Sequence, residues 1–144
     1  MLYKVETVID DILELSDNLR FEDKRELEDL GYPDPLLPLI ESFHNSDECW
    51  TIKVKENNKV AGVYGVNDGL IWLMATPEIL KGKIQFLRNC RQEVERLNTK
   101  YPVLYNIVDS RNDLHLKWLQ FCNFEFVSVV SINEINYMTI RRFK

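Results

Sequence analysis

The residues that could carry chemistry in this chain are few and widely spaced. Its three cysteines, Cys49, Cys90 and Cys122, stand far apart, and their odd number argues against a disulfide framework. His44 and His115 are the only histidines, and their spacing forms no zinc pattern, so no metal site is expected. Each cysteine is expected to pack as a small apolar group in a reducing compartment.

Five further side chains are candidate general bases, namely Glu56, Asp68, Glu78, Asp109 and His115. No two of them have a spacing that demands catalysis, and a lone helical histidine more often packs than transfers protons. The chain also lacks a Gly-x-Ser-x-Gly nucleophile elbow and a phosphate-binding glycine loop. The motifs alone therefore identify no catalytic residue.

The apolar patterns predict the elements that position these side chains. A length of 144 residues suits one domain, 1–144. Alternation predicts strands at 2–6, 49–55, 59–66, 70–75, 101–109, 124–132 and 135–141. Helical spacing predicts helices at 8–19, 21–30, 38–46 and 113–122, and a long helix from Thr76-Pro77 to Leu97.

This order, β-α-α-β-β-β-α-β-α-β-β, predicts an α/β fold. We expect a mixed sheet of six to seven strands with helices on both faces. Strands 70–75 and 103–108 should be parallel, because a helix connects them, and the other neighbours should pair mainly antiparallel. Strand 70–75 is apolar on both faces, which predicts a central position covered on both sides.

The charge of the chain is uneven. The net charge is −5, yet residues 1–48 hold 14 acids and 4 bases. An acidic chain is a poor nucleic-acid binder, no apolar run reaches membrane-span length, and no secretion signal begins the chain. We expect residues 8–30 to present an acidic face to a basic protein partner, although an ordinary solvated face is an alternative. The acids of that face are Asp10, Asp11, Glu14, Asp17, Glu22, Asp23, Glu26, Glu28 and Asp29.

The predicted order of elements resembles the GNAT acetyltransferase fold. A local match lies in NDLHLKWLQFCNFEF, Asn112 to Phe126, where GNAT proteins often carry Asn, a helix and Gly-Phe. Asn123 stands where that glycine usually lies, and asparagine also tolerates the left-handed conformation that ends a helix.

A closer resemblance is to the small GNAT-like internal virion, or internal core, proteins of short-tailed bacteriophages. It is carried by LRFEDKREL (19–27), SDECW (46–50), IWLMAT (71–76), FLRNCRQEV (86–94), YPVLYNIVDSRN (101–112) and HLKWLQFCNFEF (115–126). The resemblance implies the fold, a phage context, and a location in the virion and the host cytoplasm. It implies no reaction, because one fold hosts many functions.

The GNAT resemblance also implies a place for acetyl-CoA. In that fold the pantetheine arm hydrogen-bonds to the central strand like an extra strand, and the pyrophosphate lies on backbone N–H groups where the next helix starts. If acetyl-CoA binds, the positions that match are Leu73, Met74, Ala75, Lys81, Gly82, Lys83 and Asn112.

The cofactor loop departs from the family pattern. Gly82 is the only glycine between Thr76 and Lys83, Pro77 removes an N–H donor, and Glu78 places a negative charge beside the expected phosphate. The same residues also describe a plain helix start, with Thr capping, Pro in the first turn and Glu favoured by the helix dipole. In addition, Leu119 stands where many members place the tyrosine that protonates the leaving thiolate.

These departures favour a virion-associated protein that is non-catalytic, acts through protein–protein binding and needs no cofactor. Its partners would be other virion or host proteins. The alternative is an active acetyl-CoA-dependent N-acetyltransferase with an atypical cofactor loop, and a third hypothesis is a host-directed inhibitor with no virion role.

Overall fold

A computed structural model describes residues 1–144. Its seven strands are β1 Leu2–Glu6, β2 Glu48–Val54, β3 Val60–Asn67, β4 Leu70–Ala75, β5 Val103–Asp109, β6 Glu125–Ile132 and β7 Ile135–Phe143. Its five α-helices are α1 Ile9–Asp17, α2 Phe21–Asp29, α3 Leu36–Asn45, α4 Lys83–Lys100 and α5 Asp113–Phe121, and a 3₁₀ helix, Pro77–Gly82, leads directly into α4. None of the helices combines the length and the apolar content that crossing a membrane requires.

The strands form one mixed sheet in the order β1-β2-β3-β4-β5-β7-β6. β4 and β5 pair in parallel through Leu70 and Tyr105. The pairs β1–β2, β2–β3, β5–β7 and β6–β7 are antiparallel. The mixed sheet and its parallel strand pair are therefore confirmed.

The chain divides into two compact units. Unit 1 comprises residues 1–68 and 72–86, and unit 2 comprises residues 69–71 and 87–144. A single domain over 1–144 stays a prediction.

The core of unit 1 forms around the buried face of α1. Ile12 and Leu15 pack with Leu27 of α2, Leu39 of α3 and Val63 of β3. Burial of such aliphatic side chains stabilises the unit by about 1.5–3 kcal/mol each, before chain entropy is subtracted.

The face that α1 buries differs from the predicted one. The apolar side chain of Leu13 is exposed, whereas Asp11, which was expected on the acidic face, is buried. Asp11 is drawn inward by polar partners on β2, because Thr51 Oγ1 donates a hydrogen bond to it at 2.9 Å and Lys53 Nζ lies at 3.4 Å.

In unit 2, the antiparallel pairs β5–β7 and β6–β7 bury Leu104, Tyr137 and Ile140. Asn98, near the end of α4, holds this unit together through its buried amide. Its Nδ2 donates to the carbonyl oxygens of Tyr101 and Arg142, both at 3.1 Å.

Three element predictions need correction. α3 begins at Leu36 rather than at Pro38, because the Asp34 side chain accepts a hydrogen bond from the Leu36 N–H and starts the helix earlier. The long helix begins at Lys83, and a 3₁₀ helix occupies the preceding turns. β4 is central in the sheet, but its residues 71–74 are only half-buried, so it is not covered on both sides.

Gly69 has a backbone conformation that only glycine adopts without strain, with φ +92° in the β3–β4 turn. Gly69→Ala should destabilise the fold by about 1–2 kcal/mol from backbone strain and roughly 1–3 more from overlap with the Val103 carbonyl oxygen. Gly31→Ala is the matched control, because Gly31 has φ +97° with open space around it. Urea unfolding measures the free energy of unfolding of both variants. Equal losses of stability would contradict a role for the overlap with Val103.

Candidate functional site

Both backbone polar groups of Ala75, the last residue of β4, are hydrogen-bonded within unit 1. The Thr76 N–H donates to Ala61 O of β3 at 2.9 Å, so the groups of Ala75 point away from β3, because successive residues of a strand alternate. There the Ala75 N–H donates to Asp23 Oδ2 at 2.9 Å, and its carbonyl accepts from the Arg20 N–H at 2.9 Å.

The two residues that reach Ala75 form a buried ion pair at the start of α2. Arg20 Nη2 lies 3.2 Å from Asp23 Oδ1, with the guanidinium and the carboxylate both buried. Burial of two charges is costly unless they are paired and hydrogen-bonded, and here one carboxylate satisfies both the guanidinium and a backbone N–H. We call Arg20, Asp23 and Ala75 the β4-edge cluster.

The backbone N–H groups at the start of the 3₁₀ helix after β4 are also hydrogen-bonded. Thr76 Oγ1 accepts from the Glu78 N–H at 3.2 Å, Thr76 O accepts from the Ile79 N–H at 3.1 Å, and Pro77 has no N–H. A hydrogen bond from Lys81, at 2.7 Å, lowers the pKa of Glu78. The prediction of a plain capped helix start is confirmed at Thr76.

Gly82 is packed against β1 rather than open to a ligand. A Cβ placed at Gly82 would lie 2.6 Å from Leu2 Cγ. Gln85 fixes the same contact, since its side chain accepts from the Leu2 N–H at 2.9 Å and donates to Leu2 O at 3.1 Å. The glycine is therefore required by packing.

The predicted cofactor positions fall into both units. Leu73 and Met74 are half-buried, Ala75 is buried, and Lys81 and Lys83 are exposed, all in unit 1 together with Gly82. Asn112 belongs to unit 2, where its buried side chain accepts the His115 N–H at 3.4 Å and caps α5. A role of these residues in cofactor binding stays a prediction.

Most of the candidate bases already have cationic partners. Glu56 accepts from the amino group of Met1 at 2.7 Å, which lowers the pKa of Glu56. Asp109 is fully buried, and Arg111 Nη2 lies 2.7 Å from its Oδ2. A carboxylate held in its ionised form by a cation is a poor proton acceptor near neutral pH.

The remaining candidates, Asp68 and His115, belong to different units. Asp68 is exposed in the β3–β4 turn, with a positive φ of 46°. His115 is half-buried on α5, with its ring centroid 6.1 Å from that of Trp118. Leu119 is buried in unit 2, so the position of the expected acid holds an apolar core residue.

The acidic face predicted for residues 8–30 is smaller than expected. Asp11, Asp23 and Glu26 are buried, and Glu14 accepts the Val60 N–H at 2.6 Å. Asp10, Asp17 and Glu28 are exposed. The charge pattern could not show this difference, because Asp11, Glu14 and Asp23 each bind a group that is about 40 to 50 residues away.

The backbone of Ala75, at the end of β4, is not open to a cofactor arm that adds as an extra strand. Such an arm needs N–H and C=O groups that face away from β3, and those of Ala75 are bonded to Asp23 and Arg20. The donors at the start of the 3₁₀ helix are likewise bonded to Thr76. Binding at this edge would require residues 20–23 to withdraw.

Comparison with solved structures shows the GNAT acetyltransferase fold. The chain is similar to the ribosomal-protein-S5-alanine acetyltransferase from Vibrio fischeri, with a TM-score of 0.69, 13% identity, and coverage of 99% of this chain and 92% of that one. A GNAT-family acetyltransferase from Bacillus anthracis gives a TM-score of 0.69 at 9% identity, with coverage of 99% of this chain and 94% of that one. A spermidine N-acetyltransferase variant from Vibrio cholerae gives a TM-score of 0.64 at 14% identity, with coverage of 99% of this chain and 93% of that one. No protein-family model matches the chain, and no curated protein sequence matches it.

The predicted fold class is thus confirmed. At these low sequence identities, the likeness shows the fold and nothing further. The β4-edge cluster was missed from the sequence, where Asp23 was assigned to the solvated acidic face. One local signal was available, since Arg20 and Asp23 are three residues apart, a spacing that brings side chains together on a helix.

Asp23→Ala should destabilise the protein by about 3–5 kcal/mol, because it removes the carboxylate partner of a buried guanidinium and the acceptor for the Ala75 N–H. Glu22→Ala is the control, since Glu22 lies 3.9 Å from Arg20 and is substantially exposed, so about 1 kcal/mol or less is expected. Chemical denaturation measures both variants. Losses of similar size would show that the buried carboxylate has no special role.

Proposed function

We propose that this chain is an acetyl-CoA-dependent N-acetyltransferase with an atypical cofactor loop. The observation that supports the proposal is the likeness in fold to acetyltransferases over 99% of the chain. Two of those neighbours are named for primary amine acceptors, a ribosomal-protein alanine and spermidine. By analogy, the acceptor here is a primary amine.

The charge of unit 1 supports a cationic acceptor. Residues 1–48 carry 14 acids against 4 bases, and Asp10, Asp17 and Glu28 remain exposed. Opposite charge raises the local concentration and the association rate of a cationic amine, an effect that salt screens. Lys81 and Lys83 are exposed beside the end of β4 and supply positive charge for an anionic donor.

Acetyl-CoA titration by calorimetry tests the proposal, together with a thiol-release assay over spermidine and an alanine-initiated peptide. The double variant Lys81→Glu/Lys83→Glu should weaken acetyl-CoA binding roughly tenfold, equivalent to about 1.4 kcal/mol, because it reverses two exposed charges. Lys117→Glu, a change of the same type on α5, is the control and should bind as the wild type does.

Saturable binding with thiol release would support the enzyme. If the wild type neither binds acetyl-CoA nor releases thiol with any amine, the proposal is wrong.

A second candidate is a non-catalytic protein that acts by binding virion or host proteins. The observation that favours it is the closed β4-edge cluster, together with the buried Leu119 where an acid is expected. The resemblance to phage internal virion proteins belongs to this candidate, as does a location in the virion and the host cytoplasm.

The second candidate predicts a partner contact weakened by salt, since an exposed charge interaction is screened over about 10 Å at 0.1 M and about 3 Å at 1 M. Asp10→Lys/Asp17→Lys should reduce capture of the partner, and Glu134→Lys, which changes an exposed acid of unit 2, should not. Mass spectrometry of purified phage particles shows whether the chain is a virion component. Capture that ignores both salt and the double variant would contradict a role for the acidic face.

A further inference from the structure

β6 forms one edge of the sheet, and neither of its faces is covered. It is the last strand in the order β1-β2-β3-β4-β5-β7-β6, so β7 is its only neighbour. Val129 is 58% exposed and Ile132 is 37% exposed, and these two side chains point to opposite faces, because successive strand residues alternate. Phe126 and Val127 are exposed as well. The strand therefore presents apolar side chains to solvent on both sides.

The hairpin turn after β6 fixes which of its backbone groups face the open edge. The turn at 133–134 has two residues, with φ of 50° and 67°, and Ile132 pairs with Ile135 across it. Residues that flank a two-residue turn exchange both backbone hydrogen bonds, and hydrogen-bonded pairs then alternate along the ladder. The N–H and C=O groups of Val129 and Ser131 therefore face away from β7.

The hydrogen bonds of Ser128 agree with this assignment. Its carbonyl oxygen accepts from Thr139 Oγ1 of β7 at 3.2 Å, and its own Oγ lies 2.7 Å from the same hydroxyl. Ser128 thus directs its carbonyl towards β7, and Val129, the next residue, directs its own groups to the side where the sheet has no further strand. An unpaired strand edge of this kind binds an extended chain that offers complementary groups.

The open edge of β6 lacks the features that usually protect an edge strand. Lysine, proline and other charged residues discourage pairing between chains, and the opposite edge strand, β1, carries Lys4 and Glu6. β6 has no proline, and its single charged residue is Glu125, at its first position. Glu125 is already paired with Arg141 of β7 at 2.7 Å. The rest of the edge is therefore uncharged and open to pairing.

We propose that β6 pairs antiparallel with the β6 of a second copy of this chain. A strand that runs antiparallel to its own copy about a two-fold axis meets an identical surface, so each apolar side chain faces an uncharged one. The Glu125 carboxylates of the two chains lie at opposite ends of such a pair. The strand is thus complementary to itself in both charge and polarity.

The register of this pairing follows from the ladder between β6 and β7. A bulge interrupts the ladder just before Ser128, so the regular part of β6 begins there. Within this part, Val129 and Ser131 face outward, and both are used when Val129 of one chain exchanges its hydrogen bonds with Ser131 of the other. The two-fold axis then passes at Val130, and the sheet continues from one chain into the next.

This contact is small and free of like-charge repulsion. In the stated register the two Glu125 residues are roughly 30 Å apart, at about 3.4 Å per strand residue. A contact of one short strand edge on each side is smaller than the roughly 800 Å² per partner of a standard interface. A weak dimer is therefore expected, which a high protein concentration favours.

Sedimentation velocity of the full chain, from low micromolar to near-millimolar protein, tests the proposal. The monomer should convert to a dimer as the concentration rises, in high salt as in low salt, because backbone hydrogen bonds and apolar contacts hold the two chains together. Hydrogen exchange should show the same event by residue. The amides of Val129 and Ser131 should exchange more slowly as the concentration rises, whereas that of Val130, which faces β7, should be protected throughout.

Two substitutions at the same position should weaken the dimer by at least about tenfold. Val129→Pro removes an outward-facing N–H donor and leaves the ladder to β7 intact, since proline is tolerated where the N–H faces solvent. Val129→Lys places a charge in the centre of the contact. Leu37→Lys is the matched control, because it puts the same charge on an exposed apolar residue of α3, and it should dimerise as the wild type does.

A mixing experiment tests the register. Ser131→Glu alone should also weaken the dimer, but a mixture of Val129→Lys and Ser131→Glu chains should form a mixed dimer, because the register places residue 129 opposite residue 131. The hydrogen exchange of the wild type decides the matter even if a variant fails to fold.

A wild type that stays monomeric at every concentration would overturn the proposal. So would a dimer that Val129→Pro and Val129→Lys leave intact, or one that Leu37→Lys weakens equally. Association through β6 needs neither acetyl-CoA nor an amine, so its failure leaves the proposed function untouched, and the failure of that function leaves this contact untouched.

Discussion

The hydrogen bonds from the start of α2 to Ala75 are the interaction on which the candidate site depends. Ala75 is fully buried, and its N–H and C=O face away from β3, where a buried polar group without a partner would cost free energy. Asp23 and Arg20 supply those partners. An acid that ends up buried needs a cation, so the position of Arg20 follows from the same requirement.

This interaction occupies the backbone groups at the end of β4. The exposed backbone of a strand binds whatever offers complementary groups, whether a strand, a helix start or an extended ligand. Here the start of α2 is that partner. Thr76 accepts hydrogen bonds from the N–H groups of the following 3₁₀ helix, and Leu2 fills the space beside Gly82. Thr76 and Gly82 therefore have folding roles in this chain.

In unit 2, polar side chains also join distant elements. Asn98 and Arg142 tie the end of α4 to β7, and Arg142 also reaches the carbonyl of Cys122. The guanidinium of Arg142 thus joins α4, the end of α5 and β7 within this unit.

The sequence by itself determined most of the elements and the parallel strand pair. These features depend on local rules: side-chain period separates strands from helices, and asparagine tolerates positive φ, as at Asn58 and Asn123. The helix cap at Asn112 was predictable for the same reason. The element order then sufficed to indicate the fold class.

Only the tertiary structure decided which polar residues are buried and which side chain packs against Gly82. Asp11 and Asp23 look like solvated acids in sequence, because their partners Lys53 and Ala75 are some 40 to 50 residues away. Gly82 resembles a remnant of a phosphate loop until Leu2 of β1 is placed beside it. Burial and pairing depend on the three-dimensional neighbours of a residue, whereas sequence patterns report only the few residues on either side.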